Sequence, residues 1–279
     1  MSARQGTGSD ELVLSAGREG LPVIDGISQF LVGARCMLEH RDFLRRQPCQ
    51  KLELNPERIE YWMEKLSRVD RLNETESSRF LADFGVPMMR SEWVDTESSL
   101  LQAAAKLEYP IVLKTAMPNI EHKSDVGGVK LNLNNKDELL EAYRDLCKRL
   151  GAQAMVTEMQ ADSGLEMILG IAHDEQFGPM IVMGMGGIYT EVLSDAIIAA
   201  PPFDSSMARR YVDQLKMRAL LDGVRGEETM NVDAYCDAAA RLSSLAVVFA
   251  KHIKEIDINP LKLTATGCVG LDALIVKRD

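Results

Sequence analysis

The hydrophobic pattern splits the chain into a weakly patterned start and a long stretch whose apolar period alternates between helix and strand. Residues 1 to 10 are rich in Gly and Ser, and Glu11 to Leu14 and Gly20 to Ile24 read as two short extended pieces. Ile27, Phe30, Leu31, Met37 and Leu38 then recur at helical spacing, up to the basic cluster Arg41 to Arg46 and Pro48. The charged run from Gln47 to about Pro56 reads as a linker. Past it, Ile59, Trp62, Met63, Leu66 and Val69 fit one helix; Thr75, Glu76 and Ser78 open another that closes at Phe84-Gly85.

From Val86 strands and helices alternate, which predicts an α+β fold. The expected elements are a strand at Pro87 to Met89, a helix from about Thr96 to Leu107 capped by Asp95, and a strand at Ile111 to Leu113. A strand at Val129 to Leu133, a helix at Lys136 to Leu150 and a strand at Ala154 to Met159 follow. Strands near Leu165 to Ala172 and Pro179 to Met183 are interrupted by the cluster Gly184 to Gly187. Helices at about Ser205 to Leu221 and Val232 to Lys251 precede a hairpin, Lys254 to Leu263 and Cys268 to Val276, turning near Ala265 to Gly267. No internal repeat interrupts this order.

The candidate chemistry begins at Pro110 to Val129. Lys114 ends a buried strand where it can reach a phosphate, and the loop after it holds His122, Lys123, Ser124, Asp125, Gly127 and Gly128. Glycines let backbone N–H groups approach an anion, and the two lysines supply point charges; a solvated hairpin turn has the same composition. His122 is either a nucleophile or phosphate ligand or a solvated loop histidine. His173 and His252 read as structural or surface residues.

A second constellation lies at Glu255-Ile256-Asp257-Ile258-Asn259-Pro260. Strict alternation puts Glu255, Asp257 and Asn259 on one face and sends Ile256 and Ile258 to the core. The hairpin brings Asp272 roughly opposite Asn259, a pair of oxygen ligands suited to Mg²⁺ if the face is not simply solvated. Glu158 and Glu166 flank a turn and can bond an adenine amino group and ribose hydroxyls, or stand exposed. Gly184, Gly186 and Gly187 either present amides to an anion or end a strand tightly.

Composition narrows the partners. With 279 residues and 46% hydrophobic content there is apolar material for a soluble core. The net charge of -10 argues against a nucleic-acid or anionic membrane surface as the main partner. The five cysteines follow no metal spacing and suit a reducing cytoplasmic setting. No signal-peptide core or membrane-spanning run is evident.

Taken together, His122 to Val129, Phe177-Gly178-Pro179, Gly184 to Glu191 and Glu255 to Leu261 resemble the ATP-grasp domain of ADP-forming acyl-CoA synthetases, relatives of the succinyl-CoA synthetase β subunit. The resemblance covers about Asn73 to Val276. Glu11 to Arg46 more weakly resemble the end of a CoA-ligase-like domain. The implied layout is residues 1–50 as a flexible start and remnant of that domain, 51–72 as linker and helix, and 73–279 as two α+β subdomains clamping ATP. The resemblance further implies that Lys114, Lys123, Gly127, Gly128, Glu158, Met159, Ala161 and Glu166 contact ATP. It makes Gly186 and Gly187 a phosphate loop, Asn259 and Asp272 the Mg²⁺ ligands, and His122 a phosphoryl relay. CoA and the carboxylic acid substrate would be bound mainly by a CoA-binding domain or α-type subunit.

Three positions depart from the family pattern. Ala199-Ala200 stand where an arginine precedes the proline segment, Val224 replaces a tyrosine, and Glu121 replaces an apolar residue and favours a charged His122. Two other functions remain in view at this point. A nucleotide-sensing regulatory module would bind nucleotide and do nothing further; an ATP-dependent carboxylate-amine ligase would share the clamp without calling for the His-Lys-Ser-Asp motif.

Overall fold

The computed structural model describes residues 11–21, 26–45, 52–117, 120, 123, 125–159, 164–187, 195–224, 226 and 228–278. The chain forms two compact units, Met1–Pro48 and Cys49–Asp279. In the smaller unit α1 spans Glu11–Arg18 and α2 spans Ile27–Leu44. Glu11 to Leu14 are therefore helical rather than extended: Glu11 in the first turn and Arg18 in the last both suit the helix dipole. Gly20 and Leu21 belong to no strand, and the rest of that expected piece lies outside the described residues.

In the larger unit Pro56 and the side chain of Asn55 start α3 (Pro56–Arg68), the Asn55 carboxamide oxygen accepting from Glu57 N–H at 2.9 Å. Asn73 and Glu76 form a reciprocal capping box at the start of α4 (Glu74–Asp83). Trp62, Phe80, Phe84 and Phe249 meet edge to face, with Phe80 and Phe249 centroids 5.1 Å apart. The Trp62 indole N–H is satisfied by Asp83 at 2.9 Å.

The first sheet is antiparallel, in the order β1-β4-β2-β3, with β1 at Ser91–Val94, β2 at Ile111–Thr115, β3 at Val129–Leu133 and β4 at Ala154–Glu158. Helices α5 (Glu97–Ala104) and α6 (Lys136–Arg149) share one core with Val94, Ile111, Leu113 and Val156. Alternation then turns Val112 and Lys114 to the other face. The expected strand at Pro87 to Met89 is only an isolated bridge from Met88 to Gly270; β1 follows it, too short to display a period of two. Thr96 rather than Asp95 caps α5, accepting from Ser99 N–H at 3.1 Å.

The second sheet runs β10-β8-β5-β6-β7, with β9 also paired to β8. Its strands are β5 (Leu165–Asp174), β6 (Gly178–Met185), β7 (Ala196–Ala199), β8 (Ile253–Leu263), β9 (Cys268–Gly270) and β10 (Ala273–Lys277). The glycine cluster does not interrupt β6 at Gly184, which pairs with both Ile168 and Ala196. The long helix expected at Ser205 to Leu221 is two, α7 (Ser205–Val212) and α8 (Arg218–Leu221). Buried Asp195 holds the break by accepting from the N–H groups of Lys216 and Met217 at 2.9 and 2.8 Å. Helix α9 (Val232–Val248) packs on β5 and β6. Among the described residues no helix is long and apolar enough to cross a membrane.

Tyr235 of α9 donates to Ile168 O at 2.7 Å and accepts from Gly184 N–H at 3.2 Å, tying the helix to adjacent strands in a fully buried setting. Tyr235→Phe leaves both backbone groups short of a partner and is expected to cost about 1 to 3 kcal/mol. Urea unfolding followed by circular dichroism should show a lower midpoint at unchanged slope.

Candidate functional site

A cleft of about 550 Å³ opens where the first sheet (Trp93, Met155), the start of α4 (Glu74) and the start of β10 (Asp272, Leu274) converge. Lys114, one position before the end of β2, lies beside it and does not line it: its Nζ donates to Leu271 O at 3.3 Å and lies 3.8 Å from Glu74 Oε1. Lys123 enters from the glycine loop and ion-pairs with Glu74 Oε2. The structure thus gathers Lys114, Lys123 and Asp272 around Glu74. Burial, then repulsion from Asp272, push the Glu74 carboxyl above the usual range, opposed by Lys123 and Lys114.

The glycine loop is closed by its own backbone. Gly128 N–H donates to Lys123 O at 2.7 Å, and Thr115 N–H donates to Gly128 O at 2.7 Å. A Cβ on Gly128 would lie 2.7 Å from Thr115 Cγ2 and 2.8 Å from Lys123 O, so only glycine fits. Arg149 of α6 donates to Val126 O at 3.1 Å and to Gly127 O at 3.0 Å, turning those carbonyls toward the helix. Asp145 in turn holds Arg149 and Lys130. These two partners, Arg149 first, bring the Asp145 carboxyl down to about 2.

On the opposite sheet Ile253, Ile256, Ile258, Leu261 and Leu263 are buried, while Glu255 and Asn259 are exposed. The return of the hairpin is split: β10 pairs Ala273 with Ile258, and β9 pairs Gly270 with Leu261. The register is the same on both sides, and Leu271 N–H donates to Pro260 O at 3.0 Å. One further step of that register sets Asp272 opposite Asn259. Burial, then Glu255 and Asp272, raise the Asp257 carboxyl above its ordinary value. Among the described residues no three His, Cys, Asp or Glu side chains gather as a metal site, so this edge offers the Asn259 and Asp272 oxygens and little else.

Glu158 ends β4 opposite Ile111, three positions from Lys114 along β2 and so about 10 Å away along the strand. Its Oε1 accepts from Glu108 N–H at 3.3 Å, and Met159 N–H is taken by Pro110 O at 3.0 Å. Glu166 lies against Gly187: Gly186 N–H donates to Glu166 O at 2.7 Å, and a Cβ on Gly187 would come within 2.8 Å of Glu166 Oε2. Two candidates that the sequence treats apart are therefore neighbours. Lys123 and Asp272 line the cleft; Lys114, Glu158, Glu166 and Asn259 do not. His122 and Ala161 lie outside the described residues.

The sequence reading passes over Glu74 and Arg149. Glu74 reads as an acidic residue in a first helical turn and Arg149 as a basic residue in a last one, both ordinary helix-dipole choices. Only the fold brings their side chains to the loop and cleft. Arg149→Ala is expected to release the glycine loop, read as faster proteolytic cleavage between Val126 and Gly128 with the rest of the chain intact. Because the folded Asp145 value is depressed, the latch is at full strength above the unfolded carboxylate value and weakens as pH falls through about 2. Loop cleavage in the wild type should therefore be independent of latch titration from pH 5 to 9, a window chosen to lie above about 4.

Comparison with known proteins identifies the family of the chain. The family described as ATP-grasp domain matches residues 65–276. The chain is 33% identical over 252 residues, 86% of its length, to 4-hydroxybutyrate–CoA ligase [ADP-forming] of Nitrosopumilus maritimus, spanning 36% of that relative. It is 31% identical over 212 residues to acetate–CoA ligase [ADP-forming] I subunit beta of Pyrococcus furiosus, covering 74% of this chain and 91% of that one. Among solved structures, acetyl-coenzyme A synthetase 1 of Ca. Korarchaeum cryptofilum, in complex with coenzyme A and Mg-AMPPCP, aligns with a TM-score of 0.69 at 31% identity. The match covers 78% of this chain and 98% of that chain, and in that complex the phosphohistidine segment points towards the nucleotide binding site.

Proposed function

The chain belongs to the ATP-grasp family, and from that premise we propose that it is the nucleotide-binding, phosphoryl-transferring part of an ADP-forming acyl-CoA synthetase. The reaction in view joins a carboxylic acid to CoA as ATP yields ADP and phosphate, through an acyl phosphate and a phosphohistidine. The observation that carries this reading is the convergence of Lys114 and Lys123 on Glu74, at the edge of a cleft that Lys123 lines from one sheet and Asp272 from the other.

In this reading the triphosphate lies along Lys114 and Lys123, where two ammonium groups in a partly buried site offset the charge that spreads over the transferring phosphoryl oxygens. The amides of Gly127 and Gly128 cover it, with Arg149 occupying the loop carbonyls that would otherwise repel an anion. Glu158, Met159 and Ala161 take the base and Glu166 the ribose, beside the amides of Gly186 and Gly187. The roughly 10 Å of β2 separating the levels of Glu158 and Lys114 suits a nucleoside joined to its phosphates.

The site fits Mg²⁺ by the chemistry of its donors. Asn259 and Asp272 supply hard oxygen ligands, and Asp257 near them is raised by burial first and then by the carboxylates of Glu255 and Asp272, which a cation would offset. Bound there, Mg²⁺ would supply charge neutralisation for the phosphates; this chain's part is to hold it by Asn259 and Asp272. His122 is assigned as the relay that takes the phosphoryl group and passes it on, a neutral imidazole being a competent nucleophile near pH 7.

The relatives support a divided enzyme. One is named a subunit beta and is nearly fully covered; the other is almost three times longer than the matched stretch. The CoA-binding domain or α-type subunit would bring CoA, the carboxylic acid and its own phosphohistidine segment, of the kind that points towards the nucleotide binding site in the Korarchaeum synthetase. Residues 1–50 are read as the end of such a domain, and the scattered cysteines fit a reducing cytoplasm.

Incubation with γ-labelled ATP and Mg²⁺, with and without a CoA-binding partner, should give acid-labile, base-stable label on this chain that is lost in His122→Ala. Label on the partner alone, unaffected by His122→Ala, removes the relay but keeps the synthetase; ATP binding without label on either protein favours a nucleotide-sensing module. Lys114→Met is expected to weaken ATP binding about tenfold or more, the scale of losing one charge-assisted contact in a half-buried site.

A further inference from the structure

Glu74 has no part in the reading above, and its placement is not explained by the helix it begins. Asn73 and Glu76 already cap α4 reciprocally, so the helix start needs no further carboxylate. Glu74 instead turns into the cleft. Its Oε2 engages Lys123, while its Oε1 lies 3.8 Å from Lys114, buried and without a hydrogen-bond partner among the described residues. The side chain retains 17% of its exposure, against 16% for Lys114 and 21% for Lys123, so all three charges are screened far less than surface pairs.

The charges of the cluster cancel: Lys114 and Lys123 are met by Glu74 and Asp272. A bare polyphosphate entering the cleft would find both lysines engaged and two carboxylates in its path. It would have to displace Glu74 and accept the repulsion that the freed carboxylate then exerts. A polyphosphate carrying a divalent cation brings about two fewer negative charges and meets the same carboxylates with a compensating charge.

We propose that Glu74 is a specificity-determining residue that acts as an internal anion on Lys114 and Lys123, making the cleft accept polyphosphate with its cation and resist it bare. The inference rests on the phosphate-binding reading of the cleft and assigns the selection of ligand charge to a residue outside the nucleotide contacts. Glu74 neither touches the reacting atoms nor replaces a lysine. It raises the threshold that an anion must pass.

The test measures dissociation constants by calorimetry for ATP and for inorganic tripolyphosphate, each in EDTA and in Mg²⁺, with the full chain. The wild type should prefer the Mg²⁺ form. Glu74→Gln should bind the bare ligands about tenfold more tightly and the Mg²⁺ forms less than threefold more tightly, narrowing the preference. Glu74→Asp, which keeps the charge, should retain the wild-type preference. Glu76→Gln removes a carboxylate from the same helical turn, where it faces Lys65, and should leave both constants unchanged while lowering the thermal midpoint. Equal weakening of both ligand forms in Glu74→Gln, or no change in either, overturns the proposal. A wild type that binds no polyphosphate in either medium overturns the phosphate reading of the cleft and this inference with it.

Discussion

Strand β8 is the constraint on which the larger unit depends. It pairs with β5 on one side and with β10 and β9 on the other, and it buries Ile253, Ile256, Ile258, Leu261 and Leu263. Each such side chain contributes about 1.5 to 3 kcal/mol of burial, and a slip of one residue would turn the inward set out and Asn259 in. The register is therefore fixed by the core, and the polar edge inherits its accuracy. Asp272 stands opposite Asn259 because apolar side chains elsewhere on the strand allow no other alignment.

The first sheet solves a related problem by a different route. Ile111 and Leu113 are committed to the helices behind it, so Lys114 is driven to the face that meets the second sheet. A long cationic side chain on that face needs a partner when nothing else is bound, and it finds Leu271 O and the neighbourhood of Glu74. Glu74 and Asp272 thus serve the unliganded fold: without them two ammonium groups would be held together in a region of reduced solvent screening.

Much of this was legible in the sequence. The long periodic helices at Lys136–Arg149 and Val232–Val248, the alternation of Glu255 to Asn259 and the glycine pair after Lys114 report local physics, and local physics is written in consecutive residues. What escaped reading was either too short or ambiguous in its pattern or set by distant partners. Glu11–Arg18 is helical although its apolar run looks extended, Ser91–Val94 is too brief to show a period, and the helix after Ser205 is broken at Lys216 and Met217 by Asp195, 21 and 22 positions upstream. At the cleft the same rule holds. Lys114 announces itself at a strand end, whereas Glu74 and Arg149 acquire meaning only from residues 22 to 49 positions away that the fold delivers to them.

The Arg149 latch has a mechanical corollary. The backbone of Val126 and Gly127 is fastened to α6, which packs behind its own sheet, and among the described residues no hydrogen bond ties it to a strand of the opposing one. Val126 to Gly128 are thus carried as a body with α6 and the first sheet, while Lys123 at the base of the same loop reaches across to Glu74 of α4. The geometry those amides offer is therefore set within one sheet and its helix, by Thr115, Lys123 and Arg149, and owes nothing to the strands across the cleft.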